Sequence, residues 1–207
     1  MMIKQEEIDK LNLQFKEAKP SEIIKKANEL SSDAVVTTNF RPYEAAILFA
    51  VNAVKPNIPV VWCDTGYNTP QTYRHANQVI EDLKLNVFLY VPKQTVAHRD
   101  VVMGIPSVDA PEHALFTEQV KLEPFKRAME FHKPKVWFTN LRQGQTAFRN
   151  SIGIFSVSKE GVLKVSPFYY WTDVDLDVYL NEHKLPNEFK YFDPTKALEN
   201  RECGLHA

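Results

Sequence analysis

The feature that most constrains this sequence is a rhythm in which short β-branched runs alternate with helical stretches across brief turns. Ala34-Val35-Val36-Thr37-Thr38 reads as a strand, Pro42 to Val54 (PYEAAILFAVNAV) as an apolar helix, and Ile58 to Cys63 (IPVVWC) as a second buried strand. Thr69 to Leu83 then reads as a helix with a polar face, and Val87 to Val91 as a third strand. Strands that are apolar throughout must be covered on both faces, and helices between them are the natural cover. The pattern therefore predicts an α/β fold with a doubly wound, mostly parallel sheet. Two helices, over 3–17 and from Pro20 to Leu30, are expected ahead of the first strand. A helix over about 117–131 leads to a strand at 135–139. IFSVSKEGVLKVSP predicts a β-hairpin around Lys159-Glu160-Gly161, and TDVDLDVYLNEH a last helix capped by Thr172. After Leu185 the periodicity dissolves into a polar tail.

Composition narrows the class. With 207 residues, 44% hydrophobic and 25% charged, the chain is long enough to bury a domain core and has the balance of a globular protein. A net charge of -1 gives no global attraction to nucleic acid, although a sum hides local clusters. No apolar run reaches the ~18 residues of a membrane span. The opening MMIKQEEIDKLNLQFKEA is amphipathic and lacks a signal peptide's apolar centre, so a cytoplasmic location is expected.

There are two cysteines, Cys63 and Cys203, and neither stands in CxxC spacing. Two thiols in one chain are too few for a structural zinc or an iron–sulfur cluster. Cys63 ends a buried strand and reads as a small apolar residue. Cys203 lies in Arg201-Glu202-Cys203-Gly204-Leu205-His206, where the neighbouring cation lowers a thiol pKa and an imidazole stands three positions on. Such a thiol is either a nucleophile or a spare cysteine in a frayed terminus.

In open α/β sheets ligands bind beyond the carboxyl ends of the strands, which selects three loops. TTNFRPYE, with Thr37, Thr38, Asn39 and Arg41, suits an anion cradle at a helix N-terminus or a plain helix cap. It has no glycine, so neither a Walker A nor a dinucleotide fingerprint is present. Asp64-Thr65-Gly66 opens a turn whose acid reaches a ribose or merely caps. LRQGQTAFR offers Arg142 and Arg149, whose guanidinium forks match phosphate or sulfate. His113 and Lys121 lie near another helix start.

Taken in order, these stretches resemble the assimilatory phosphoadenylyl-sulfate (PAPS) and adenylyl-sulfate (APS) reductases, cluster-free type. IPVVWCDTGYNTPQTYRHA is similar to that family's DTGY segment and VKLEPFKRAM to its K-V-E-P-L stretch. WFTNLRQGQTAFR is similar to its arginine loop, VSPFYYWTDVDLDVYLNEHKLP to its hairpin exit, and RECGLH to its catalytic tail. The resemblance implies an adenine nucleotide alpha hydrolase-like fold with a helical arm at 1–32, a nucleotide-binding domain at 33–185 and a catalytic tail at 186–207. It implies reduction of PAPS to sulfite through an S-sulfo intermediate on Cys203. Thr37, Thr38, Asn39, Arg41, Asp64, Thr65, Gly66, His113, Lys121, Arg142, Arg149, Arg201 and His206 would then bind substrate. Reduced thioredoxin or glutaredoxin would donate electrons, with no bound cofactor and no iron–sulfur cluster, in a homodimer.

The sequence departs from that family in several places. The serine-rich first loop is replaced by TTNFRPYE, Gln143 stands for an arginine, and Phe116 and Thr117 occupy a cysteine pair's place. The stretch between Pro186 and Arg201 is short. Alternatives are a cluster-free APS reductase, a nucleotidyl transferase (which would need an S-G-G-x-D-S loop), or a binding protein without catalysis.

Overall fold

The computed structural model describes residues 3–147 and 149–196. Cys203, Arg201 and His206 lie outside the described residues. Helices α1 (Gln5–Gln14) and α2 (Pro20–Leu30) precede β1 (Ala34–Thr38), α3 (Glu44–Val54), β2 (Pro59–Cys63), α4 (Pro70–Leu83) and β3 (Asn86–Tyr90). After α5 (Val96–Val102), one helical rod runs through α6 (His113–Thr117), a π turn (Glu118–Leu122) and α7 (Glu123–His132). Strand β4 (Val136–Phe138), the hairpin β5 (Phe155–Val157) and β6 (Leu163–Val165), and α8 (Asp173–Glu182) complete the order.

The six strands lie in the order β3-β2-β1-β4-β6-β5. All neighbours are parallel except β5 and β6, which pair antiparallel as the expected hairpin. Alternation within each strand divides the sheet between two cores. Val36, Val60, Trp62, Val136 and Phe138 face the larger one, shared with α2, α3, α4 and α8. Val35, Val61 and Trp137 face the smaller one, closed by Ala128, Phe125 and Met129 of α7. Helices on both faces explain why these strands read as unbroken apolar runs. Within 1–32, Ile8, Leu11, Ile23, Ile24 and Ala27 are buried in the larger core, and Asn12 Nδ2 donates to the Phe155 carbonyl at 2.8 Å.

The chain leaves β1 toward β2 on one side and returns to β4 on the other. Their carboxyl ends thus flank the switch point where ligands bind in such sheets. Residues 187–196 run across this end of the sheet as a strap. Asn187 Oδ1 accepts from the Tyr43 N–H at 2.8 Å, the Lys190 carbonyl accepts from Thr69 Oγ1 at 2.6 Å, and Tyr191 Oη accepts from Asn39 Nδ2 at 2.8 Å. Residues 187–196 of the aperiodic sequence are therefore a polar crossing tied to the sheet end.

Candidate active site

A cavity of about 90 Å³ opens at the switch point. Its wall comes from the β1 loop (Thr37, Thr38, Asn39, Arg41, Glu44) and the end of β4 (Thr139, Asn140, Leu141). Cys63, Lys121, Arg149 and Lys196 complete its polar lining. Four cationic side chains around a space this small favour a tetrahedral oxyanion.

The β1 loop turns without glycine by holding Phe40 and Tyr43 in left-handed conformations, φ 51° and 69°. Each costs roughly 1–2 kcal/mol for an L-residue. Burial of Phe40 against Trp62, ring centroids 4.8 Å apart, offsets that strain. Three of the loop's backbone donors are already engaged. The Phe40 N–H binds Thr38 Oγ1, the Arg41 N–H binds Asn39 Oδ1, and the Tyr43 N–H binds the strap. Those three donors are occupied, and the loop adds side-chain charge at the cavity. Arg41 supplies it, with Nε 2.9 Å from Glu44 Oε1 and Nη2 donating to the Asn140 carbonyl at 3.1 Å. Burial raises the Glu44 carboxyl above its usual range, against the pull of Arg41, Thr38 and Asn140.

Thr37 Oγ1 accepts from the Trp137 indole at 2.8 Å. Asp64 organises its own turn: Oδ1 accepts from the Gly66 N–H at 2.9 Å, from Asn68 Nδ2 at 2.8 Å and from Tyr73 Oη at 3.0 Å. Thr65 Oγ1 accepts from the Tyr67 N–H. Gly66 has φ 82°, and a Cβ there would lie 2.5 Å from Val96 Cγ2, so only glycine fits. Asp64, Thr65 and Gly66 thus form a self-contained turn beside the cavity rather than part of its wall.

The structure separates the two arginines of the β4 loop. Arg149 is buried, lines the cavity, and its Nη1 bonds Gln145 Oε1. Arg142 reaches instead to Asp173 of α8, Nη2 to Oδ1 2.6 Å, and lies over the Tyr43 ring at 5.4 Å. Arg149 shares the cavity with Arg41 and Lys121, whereas Arg142 pairs with α8 beside it. His113 is buried at the start of α6 with Nε2 unpartnered and does not line the cavity.

Lys121 projects from the π turn into the cavity, and Asp193 of the strap grips it at 2.5 Å. Thr195 Oγ1 accepts from the same ammonium at 3.3 Å and donates to Asp193 Oδ1 at 2.7 Å. Desolvation pushes the Asp193 carboxyl up, but Lys121 and Thr195 outweigh it and hold it below its usual range. Glu44 and Asn140 stand at the ends of loops that the strand order selects, without being singled out there as ligands. Asp193 and Lys196 lie in the aperiodic tail, where no pattern marks them. Cys63 lines the same cavity, yet burial pushes its thiol up to about 12, so it stays protonated at neutral pH. No group of three potential metal-ligating side chains occurs among the described residues, and no described helix is long and apolar enough to cross a membrane.

Comparison with known proteins agrees with this layout. The pattern of the phosphoadenosine phosphosulfate reductase domain matches residues 33–192. A phosphoadenosine 5'-phosphosulfate reductase of Xanthomonas oryzae pv. oryzae is 33% identical, over 97% of this chain and 93% of its own length. One from Synechococcus is 31% identical over 86% of this chain and 78% of its own. Among solved structures, a PAPS reductase from Candida auris in a phosphate complex superposes with TM-score 0.79 at 24% identity, covering 90% of both chains. A U34-tRNA thiolase from Methanococcus maripaludis reaches 0.56 at 9% identity, over 87% of this chain and 67% of its own. At such identities these two structures show a shared fold. From the sequence match over most of its length, the chain belongs to the phosphoadenosine phosphosulfate reductase family.

Proposed function

We propose that this protein reduces PAPS to sulfite and adenosine 3',5'-bisphosphate, using Cys203 as nucleophile and a reduced thioredoxin or glutaredoxin as electron donor. Family membership supports an oxidoreductase acting on the sulfur of a sulfonucleotide. The observation that carries the reading here is the cation-lined cavity at the switch point. Arg41, Lys121 and Arg149 converge there on a space the size of a sulfo or phosphate group.

The steps balance as follows. The Cys203 thiolate attacks the sulfo sulfur, forming an S–S bond while the sulfur–oxygen bond to the nucleotide phosphate breaks. The nucleotide leaves with that electron pair, and cations at the cavity disperse the charge that builds on the phosphate oxygens. A donor thiolate then attacks Cys203 Sγ and expels sulfite with the electrons of the S–S bond. The donor's second thiol resolves the mixed disulfide, so the dithiol is oxidised by two electrons and Cys203 returns as a thiol. With two cysteines, one of them the protonated Cys63, the chain has too few thiols to supply those electrons through a four-cysteine cluster. Thr37, Thr38, Asn39, Asp64, Thr65, Gly66, His113, Arg142, Arg201 and His206 remain proposed substrate contacts, direct or through the loops they shape. A homodimer is proposed with them.

The test is sulfite release with PAPS and APS in parallel, given reduced thioredoxin. Cys203→Ser is expected to abolish it. Full sulfite production by that variant would sink the mechanism, and faster turnover of APS would reassign the substrate. Without reductant, mass spectrometry should find a sulfo adduct on Cys203 and none on Cys63.

A further inference from the structure

The cavity and the strap do not match a nucleotide in size. Sites that enclose ligands of that class are usually about 300–1,000 Å³, whereas this one is about 90 Å³. A sulfo group fits, and the nucleotide attached to it must reach past the enclosed space toward the strap. The strap borders that space. Its aromatic residues Phe189 and Phe192 are largely exposed, and polar bonds to Asn39, Tyr43, Thr69 and Thr72 hold it in place. Over 187–192 there is little apolar burial to lose, so the buried Asp193–Lys121 pair is the strap's strongest tie.

One contact ties the strap to the chemistry. Asp193 and Thr195 are buried and bind Lys121, a cation that also lines the cavity. An ammonium whose charge is matched by a carboxylate at 2.5 Å attracts a second anion weakly, and that carboxylate repels the newcomer directly. Charge and space therefore oppose substrate entry at one point, and both are relieved by the same movement.

We propose that Asp193 is an internal anion that competes with the sulfonucleotide for Lys121, so that substrate binding displaces it and releases the strap from the mouth of the cavity. This rests on the reading of the cavity as the sulfonucleotide site. Lys196 of the strap lines the cavity and Cys203 follows it in sequence.

The experiment measures PAPS binding by calorimetry in a Cys203→Ser background, where the ligand persists, with and without Asp193→Asn. Removing one charge a few ångströms from the ligand should tighten binding on the order of three- to tenfold. In the Asp193-intact protein, saturating PAPS should speed backbone hydrogen exchange across 187–196. Unchanged or weaker binding by Asp193→Asn, or strap amides protected by PAPS, would overturn the latch while leaving the binding site in place. If the Asp193-intact protein binds no PAPS at all, the functional reading falls and the latch with it. If Asp193→Asn fails to fold, the exchange measurement decides alone.

Discussion

Two carboxylates neutralise cations of the same cavity, and they differ in what they are attached to. Glu44 pairs with Arg41 three residues earlier, inside one loop and the first turn of α3. Asp193 pairs with Lys121 across 72 residues, from a strap that crosses the sheet end. The first pair can exchange partners without moving any element. The second cannot release without moving the strap. The same charge chemistry therefore tunes affinity at one wall and controls access at the other.

Substitutions at the two walls probe that contrast. The largest effect is expected from Lys121→Met, which leaves Asp193 buried and unpaired. Breaking a buried pair in this way costs about 3–5 kcal/mol, and sulfite production should fall with it. Thermal or denaturant melting reads the loss. Adding Asp193→Leu should restore stability while activity stays low, since an apolar pair fits where a lone charge does not. Recovery of activity in the double variant would show that Lys121 serves only the strap.

Glu44→Gln should have a smaller effect. It frees Arg41's charge and should tighten PAPS binding a few-fold in the Cys203→Ser background. Hydrogen exchange in 187–196 should not change, and faster exchange there would erase the distinction between the two walls. The pH dependence has a definite sign. Because burial raises the Glu44 carboxyl in the folded protein, its contribution to stability is fully present below the unfolded value and fades as pH rises through the folded one. The glutamine variant should lose that decline. Asp193 runs the opposite way, its contribution present above the unfolded value and lost as pH falls through the depressed folded one.

Cys63→Ala should do least. The thiol is protonated and packed beside Tyr90 and Phe125, so the loss is about 1 kcal/mol of packing with sulfite production retained. A rate drop comparable with Cys203→Ser would make Cys63 a participant.

The sheet was legible because strands buried on both faces leave a local trace: AVVTT and PVVWC carry their environment in their own composition. The hairpin was readable from its alternation around Lys159-Glu160-Gly161, and α8 from its Thr172 cap. Arg142 and Arg149 were legible as cations but not as different cations. Their separation depends on Asp173 drawing one of them toward α8. Asp193 left no trace, since its meaning lies in a lysine 72 residues away. Glu44 was hidden differently, as a lone acid at the head of an apolar helix whose partner, Arg41, read as a ligand.

The π turn between α6 and α7 also settles a question of phase. Phe116, Val120, Pro124 and Ala128 recur every fourth residue and are all buried. A regular α-helix turns about 100° per residue, so three such steps would rotate the last of these some 120° away from the first. A wider turn in the middle absorbs part of that excess and keeps one continuous stripe facing inward. Lys121 sits within the corrected stretch, and its aim is therefore a matter of angular registry. Deleting a single residue there would leave a helix of normal appearance with its cation pointed elsewhere.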